Sequence, residues 1–325
     1  MSSSDPHSSH PDSGQPDDAS APAADQPASA PAEDKAEVGV AQVLDHVRAP
    51  EEITTPHVVE FRNVTKTYNA GQDNAYTAIK DVNFVVEDLP NKGEFVAILG
   101  PSGCGKSTVL RLIAGLEPQH PPTTGEVLVQ NAPVLGPGSD RGMVFQDYTS
   151  FDHRSVLDNV TFGLECLGVR RRVRYELGRE WIERVGLDVK NDQYKYPHEL
   201  SGGMRQRVAI ARTLILHPRI ILMDEPFGAL DPVTRMNMQD LLVLLWRDVQ
   251  ATVFFVTHSI EEAVYLGDRV YVMSNPPGTI LREIEVEPPN RPAAQMQRER
   301  RFQETVFYIR DQILQLEEAQ QQQQR

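Results

Sequence analysis

Cysteine is scarce in this sequence, which contains only Cys104 and Cys166 among 325 residues. Two cysteines cannot form the disulfide framework of a small secreted domain. Cys104 also lies between the glycines of a glycine-rich loop, where a disulfide would obstruct a bound ligand. We therefore expect free thiols and a reducing compartment.

Long apolar runs and an excess of basic residues are also missing. The longest apolar runs, such as residues 241–246, are far shorter than the ~18–20 residues that span a bilayer. The N-terminus has neither the basic start nor the apolar stretch of a secretory signal, so another polypeptide would have to supply any membrane span. The formal net charge is −14, and we do not expect a nucleic acid partner.

Residues 1–56 differ in composition from the rest of the chain. They consist largely of Ser, Pro, Ala and Asp, and carry 11 acidic and 2 basic residues, a net charge of −9. Such a segment buries too little apolar surface to offset the entropy lost on ordering, which predicts a disordered acidic tail. Composition favours a dispensable tail over a regulatory or partner-binding segment.

Beyond residue 57, short apolar strands alternate with helical segments, which predicts an α/β sheet covered on both faces. We assign an ordered domain to residues 57–287, with an inserted helical subdomain at about 147–205. The predicted strands are 58–64, 82–87, 94–99, 125–130, 142–145, 219–223 and 252–257. The predicted helices are 108–114, 175–185 and 204–216.

Residues 288–325 form a predicted linker and amphipathic helix. Apolar side chains recur at intervals of four, three, four and three residues, which places them on one helical stripe. They are Phe302, Val306, Ile309, Ile313 and Leu316. Two heptads are too few to require a coiled coil, so docking on its own domain is favoured over pairing with another helix.

A glycine-rich motif follows the predicted strand 94–99. Its residues fit G-x-x-x-x-G-K-[ST]: Gly100, Pro101, Ser102, Gly103, Cys104, Gly105, Lys106, Ser107 and Thr108. Glycines allow backbone N–H groups to surround a phosphate, and the following helix directs its positive end at the anion. Lys106 supplies a positive charge between the β- and γ-phosphates, and Ser107 supplies a hydroxyl for Mg²⁺. This pattern predicts an ATP phosphate site.

Two acidic residues, Asp224 and Glu225, follow the apolar strand 219–223. A strand of this type places them at its carboxyl end, where ligands of α/β sheets bind. Asp224 is expected to hold Mg²⁺ through water, and Glu225 to accept a proton from the attacking water. The sequence Asp-Glu-Pro would also suit an ordinary helix start, but a phosphate loop in the same chain favours catalysis.

Residues 200–207 read LSGGMRQR and open a predicted helix. Ser201 can cap this helix, and Gly202 and Gly203 allow a close approach to an anion at its N-terminus. An ordinary capped helix would have the same residues. The position of the segment, about 95 residues after Lys106 and some 20 before Asp224, makes it specific.

In this order the motifs resemble those of the ATP-binding subunits of ABC transporters. The resemblance covers roughly residues 57–286 and rests on GPSGCGKST, Gln146, LSGGMRQR, IILMDEP, GALD at 228–231 and His258. It implies a P-loop NTPase cassette with a RecA-like core, an antiparallel β subdomain and an inserted helical subdomain. Residues 261–280 are most similar to importers of nitrate, sulfonate and taurine.

The resemblance also implies roles for further residues. Tyr68 matches the aromatic that stacks on adenine, although a core aromatic at a strand end is the alternative. Gln146 matches the glutamine that senses Mg²⁺ and the γ-phosphate and links to the membrane partner. Asp231 matches a residue that signals across a dimer, and His258 matches the histidine that contacts the γ-phosphate.

The resemblance implies that Ser201, Gly202 and Gly203 complete the ATP site of a second copy in a head-to-tail dimer. Two departures from the family pattern stand out. Met204 replaces the usual glutamine, and residues 152–153 are Asp-His where the solute-importer branch usually has Pro-Trp. The second departure lies on the surface expected to face the membrane partner.

The predicted function is therefore an ATPase that energises an ABC importer of a small solute. The expected partners are a second copy, transmembrane permease subunits and a periplasmic or extracellular solute-binding protein. The expected location is peripheral, at the cytoplasmic face of the membrane. An exporter or lipid-transport ATPase remains open. A soluble ATPase of DNA repair or translation would need long coiled-coil insertions or two cassettes, and the acidic pair and His258 argue against a nucleotide-sensing scaffold.

Overall fold

A computed structural model of the chain describes residues 57–88, 93–147 and 149–324. The predicted acidic tail, residues 1–56, lies outside the described residues. Within them, ten strands form two sheets: β1 (His57–Tyr68), β2 (Tyr76–Glu87), β3 (Phe95–Leu99), β4 (Thr124–Val129), β5 (Ala132–Pro133), β6 (Arg141–Val144), β7 (Ile220–Asp224), β8 (Thr252–Thr257), β9 (Arg269–Met273) and β10 (Ile280–Glu285).

The larger sheet has the strand order β10–β9–β3–β8–β7–β6. All neighbours pair in parallel except β9 and β10, which pair antiparallel. Every residue of β3, β7 and β8 is buried, which explains why these strands are continuous apolar runs rather than alternating ones. Alternate residues of β3 enter two different cores: Phe95, Ala97 and Leu99 one, Val96 and Ile98 the other.

The smaller sheet is antiparallel with the order β2–β1–β4–β5. Its inner face shares one apolar core with the first helix and the large sheet. Phe61 and Phe84 stack across β1 and β2 with ring centroids 4.5 Å apart, and Phe84 lies 5.1 Å from the ring of Tyr271 on β9. This sheet is the antiparallel β subdomain of the predicted fold.

The described residues include ten α-helices: α1 (Lys106–Ala114), α2 (Val156–Val160), α3 (Phe162–Cys166), α4 (Arg171–Arg184), α5 (Val189–Asp192), α6 (Gly202–Leu214), α7 (Pro232–Val249), α8 (Ile260–Leu266), α9 (Ala293–Met296) and α10 (Arg300–Gln324). Helix α1 belongs to the core shared with the small sheet, and helices from α2 to α10 line the other core. Helix α2 packs against α4 and α6. No helix within these residues is both long and apolar enough to cross a membrane.

The strands and helices confirm the predicted α/β alternation but shift several boundaries. Helix α6 begins two residues before the expected 204, because the Ser201 hydroxyl accepts a hydrogen bond from the Met204 N–H. Strand β2 extends back to Tyr76, beyond the predicted 82–87, because it pairs with β1 along nearly its whole length. The domain limits themselves stay a prediction.

The C-terminal helix docks on its own chain. Phe302, Val306 and Ile309 are buried, and Ile313 and Leu316 pack partly buried against the same core. The helix lies against α8, which follows β8. The predicted stripe therefore packs against the core of its own chain instead of requiring a second helix.

We expect Ile309→Ala to lower the free energy of unfolding by about 2–5 kcal/mol, because Ile309 is fully buried and the change leaves a cavity. Leu314→Ala on the same helix is the matched control and should cost less than about 0.5 kcal/mol, since Leu314 is exposed. Urea unfolding measures both variants. Equal small effects would show that α10 does not dock in this way in solution.

Candidate active site

The carboxyl ends of four parallel strands meet along one edge of the large sheet. Strands β3, β8, β7 and β6 are consecutive neighbours, and all run in the same direction. Gly100, His258 and Glu225 directly follow β3, β8 and β7, and Gln146 lies two residues beyond β6, so all four lie along that edge. This edge is where ligands of open α/β sheets bind.

The glycine-rich loop connects β3 to α1. Gly103 and Gly105 have φ angles of 78° and 96°, which L side chains rarely adopt. A Cβ on Gly105 would lie 2.4 Å from Cγ2 of Ile79, whereas one on Gly103 would meet nothing within 4 Å. The loop is thus packed against β2 at Gly105 and open at Gly103. An open, glycine-lined loop at a helix N-terminus suits a phosphate.

The Lys106 side chain crosses this loop. Its ammonium donates hydrogen bonds to the carbonyl oxygens of Gly100 and Pro101, both at 2.9 Å. The side chain is only 4% exposed, so a positive charge is held inside the loop. A phosphate oxygen is a stronger partner for an ammonium than a neutral carbonyl, because the hydrogen bond then joins opposite charges.

Asp224 and Ser107 are joined directly. The Ser107 hydroxyl donates to Oδ1 of Asp224 at 2.7 Å, and Nη2 of Arg111 lies 3.5 Å from Oδ2. Asp224 is 1% exposed. Burial raises the pKa of its carboxyl, while the Ser107 hydroxyl and the Arg111 charge act in the opposite direction. Sequence reasoning missed Arg111, although it lies one turn after Ser107 on the same helix.

Glu225 lies between two basic side chains. Its Oε1 is 3.9 Å from the Lys106 ammonium, and its Oε2 is 3.5 Å from Nδ1 of His258. The backbone of Glu225 is left-handed, with φ 44°, and its N–H donates to the carbonyl of Val256 on β8. This turn brings the carboxylate, the predicted lysine and the predicted histidine together.

Tyr68 lies at the end of β1, beside the first turn of α1. Its hydroxyl is 3.1 Å from Oγ1 of Thr108, and the Lys66 ammonium lies 5.7 Å from its ring centroid. The side chain is partly exposed and belongs to neither apolar core. A ring at the rim of the glycine-rich loop is more consistent with a ligand contact than with a core aromatic.

The remaining predicted residues do not join this cluster. In the described part of the chain, no hydrogen bond or ion pair links Gln146, Ser201 or Asp231 to the glycine-rich loop. Gln146 is exposed after β6. Asp231 caps α7 by accepting from the N–H groups of Val233 and Thr234.

The N-terminus of α6 lies next to that of α7. A Cβ on Gly203 would lie 3.3 Å from Cγ2 of Thr234, whereas Gly202 has nothing within 4 Å. The partly exposed turn at Gly202 therefore has room for a partner. These residues form a second group, separate from the cluster around Glu225.

A cavity of about 430 Å³ adjoins the end of β6. It lies between β6 and the helices α3 and α6, and its lining is mainly apolar. Lining residues include Phe145, Phe151, Phe162, Gly163, Arg212 and Leu216. Because Phe145 directly precedes Gln146, this cavity and the sheet edge at the carboxyl ends of β3, β8, β7 and β6 are neighbours along the chain.

Comparison with known proteins shows which protein family this chain resembles. A family model described as "ABC transporter" matches residues 79–228. The nitrate import ATP-binding protein NrtD of a Synechocystis species is 46% identical over 231 residues, covering 71% of this chain and 83% of that protein. The taurine import ATP-binding protein TauB of Rhizobium johnstonii is 50% identical over 200 residues, covering 62% and 74%.

A solved structure also matches the fold. It is described as a dimeric, post-hydrolysis state of the ATP-binding cassette MJ0796 bound to ADP and Pi. The TM-score is 0.59 at 35% identity, and the match covers 70% of this chain and 99% of that one. These similarities confirm the predicted cassette fold, nucleotide binding and ATPase activity.

We expect Asp224→Asn to raise the thermal midpoint of the nucleotide-free protein, by about 2–4 °C for each kcal/mol of stability gained. Burial raises the pKa of Asp224, so its ionised form opposes folding at neutral pH, and Asn can still accept the Ser107 hydrogen bond. The gain should shrink as the pH falls through that pKa, because the wild-type carboxyl then becomes neutral.

Differential scanning calorimetry at several pH values measures this effect. Asp188→Asn is the control, since it replaces an exposed capping carboxylate and should give no rise. An unchanged or lower thermal midpoint for Asp224→Asn at neutral pH would contradict the claim that the ionised carboxylate of Asp224 destabilises the folded protein.

Proposed function

The chain belongs to the family of ABC transporter ATP-binding proteins, and from this membership we propose that it is the ATP-hydrolysing subunit of an importer of a small solute. The solute class we favour is nitrate, sulfonate or taurine, because the relatives at 46% and 50% identity are named for nitrate and taurine import. An exporter would use the same cassette chemistry, but no relative named above favours one.

One observation supports the catalytic part of the proposal most strongly. The Glu225 carboxylate lies between Lys106 and His258 at the sheet edge, next to the glycine-rich loop. We assign Glu225 as the base that accepts a proton from the attacking water. Lys106 exchanges two carbonyl partners for phosphate oxygens, and His258 contacts the γ-phosphate.

The residues at the loop also suit Mg²⁺. This ion prefers oxygen ligands and usually binds through one or two carboxylates together with substrate phosphates. Ser107 and Asp224 supply adjacent oxygens 2.7 Å apart. The described residues contain no group of three or more His, Cys, Asp or Glu side chains that could hold a metal without phosphates. Ser107, Asp224 and Gln146 would hold Mg²⁺, and the ion would supply positive charge that offsets the negative charge of the phosphates.

We assign Tyr68 to the adenine and the backbone of residues 100–108 to the phosphates. Ser201, Gly202 and Gly203 would contact the nucleotide of a second copy in a head-to-tail dimer, with Asp231 signalling between the copies. Two features support this assembly. Within the described part of the chain, no hydrogen bond or ion pair joins these residues to the glycine-rich loop of the same copy, and the similar cassette MJ0796 is dimeric.

The transmembrane partner would be a separate permease, and the subunit would lie at the cytoplasmic face of the membrane. The apolar cavity lined by Phe145, the residue before Gln146, supports a docking site for that permease, because an apolar recess can receive a helix or loop. A solute-binding protein on the other side of the membrane would complete the importer.

Glu225→Gln should lower the rate of ATP hydrolysis by ~10²–10⁴-fold and leave ATP binding intact, because the amide cannot accept the proton. Phosphate release and equilibrium nucleotide binding measure the two effects. Glu285→Gln, at an exposed residue of β10, is the control and should behave like the wild type. Near-normal hydrolysis by Glu225→Gln would refute the assignment of the base.

The slow Glu225→Gln variant should dimerise with ATP, as seen by size-exclusion chromatography. Adding Ser201→Arg should abolish the dimer, because a bulky cation would occupy the turn at Gly202. The control adds Asp188→Arg, which places the same side chain at another exposed helix cap and should leave the dimer intact. A stable dimer in the Ser201→Arg background would contradict the shared site.

A further inference from the structure

A buried carboxylate lies beside the carboxyl end of β8, the strand that His258 follows. Glu262, on α8, is 7% exposed and is not part of the site described above. An ionised carboxylate at such a position is costly unless charges and hydrogen bonds compensate for the lost water. The contacts of Glu262 therefore show which groups stabilise the buried carboxylate. One set involves the residues around His258, and the other involves the start of α7.

In one direction, Glu262 fixes the backbone around His258. Its Oε2 accepts a hydrogen bond from the Thr257 hydroxyl at 2.6 Å, and the same hydroxyl accepts from the N–H of Ser259 at 3.0 Å. The N–H of Glu262 in turn donates to the Ser259 hydroxyl at 3.2 Å. Both neighbours of His258 are thus tied to Glu262.

In the other direction, Glu262 reaches the loop that ends at Asp231. Its Oε1 lies 3.6 Å from Nε of Arg235, near the start of α7. Nη2 of Arg235 donates to the carbonyl oxygen of Leu230 at 3.1 Å. Leu230 directly precedes Asp231, which caps the same helix.

These contacts form one continuous path. It runs from the carbonyl of Leu230 through Arg235 and Glu262 to Thr257 and Ser259. These two residues flank His258, whose imidazole lies 3.5 Å from Glu225. We propose that Glu262 and Arg235 are positioning residues, which orient His258 against Glu225 and couple it to the Asp231 loop. This inference rests on the proposed roles of Glu225 and His258.

The proposal differs from a purely structural role for the ion pair. If Glu262 and Arg235 only held α7 against α8, removing the pair would lower stability and leave the chemistry of the folded molecules unchanged. If they act through His258, the loss must appear in the hydrolysis rate, with ATP binding preserved, and must depend on His258 being present.

The test compares Glu262→Gln and Arg235→Lys with the wild-type full-length chain. Gln can still accept the Thr257 hydrogen bond, but it is neutral and cannot form the ion pair with Arg235. Lys keeps the positive charge but lacks the separate Nε and Nη2 groups that face Glu262 and the Leu230 carbonyl. We expect kcat to fall about 10-fold and KM for ATP to change less than about 2-fold. Glu94→Gln is the matched control, because Glu94 is equally buried and ion-paired, with Arg269 at 3.4 Å. It should retain the wild-type kcat.

A double-variant measurement shows whether the effect passes through His258. Single-turnover hydrolysis, with protein in excess over ATP, quantifies slow variants. Adding Glu262→Gln to His258→Ala should reduce the rate less than about 2-fold further. A full additional 10-fold loss would overturn the proposal, as would an unchanged kcat in Glu262→Gln or an equal loss in Glu94→Gln.

The same series separates this inference from the proposed function. Glu225→Gln serves as the reference, since its hydrolysis must be lost if the site is assigned correctly. Intact hydrolysis in that variant would reject the catalytic assignment itself. Lost hydrolysis in Glu225→Gln together with wild-type kcat in Glu262→Gln would reject only the positioning role.

Discussion

The parallel alignment of β3, β8, β7 and β6 is the constraint on which the rest of the structure depends. Because four neighbouring strands end at one edge, residues separated by more than 150 positions, such as Gly100 and His258, come into one site. Buried apolar side chains on both faces hold the strands in register. The polar residues of the site lie at the carboxyl ends of these strands, just beyond the buried apolar residues.

Several features of this edge cost stability. Asp224 is buried with a raised pKa, Glu225 has a left-handed backbone, and Lys106 is enclosed by its own loop. Each would be unfavourable in an ordinary sheet connection. All three act at the atoms where phosphate, metal and water are proposed to bind, which is where proteins commonly retain strain and unfavourable charge.

Local patterns were sufficient to predict the position of the glycine-rich loop, the acidic pair at the end of β7 and most strands, because each depends on a short run of residues. They could not predict the 3.5 Å approach of His258 to Glu225, the Arg111 contact with Asp224, or the path through Glu262. Those contacts depend on which strands are neighbours, and spacing along the chain does not encode that order. The composite site needs a second copy and stays a prediction.

The central claim is that one triphosphate site forms at this edge, shared with a second copy. A crystal structure of the full chain with Mg²⁺ and a non-hydrolysable ATP analogue tests it most directly. The account predicts a phosphate oxygen at the Lys106 ammonium, a water about 3 Å from the Glu225 carboxylate, and the second copy's signature serine at the γ-phosphate. A triphosphate bound away from residues 100–108, or enclosed by one copy alone, would contradict it.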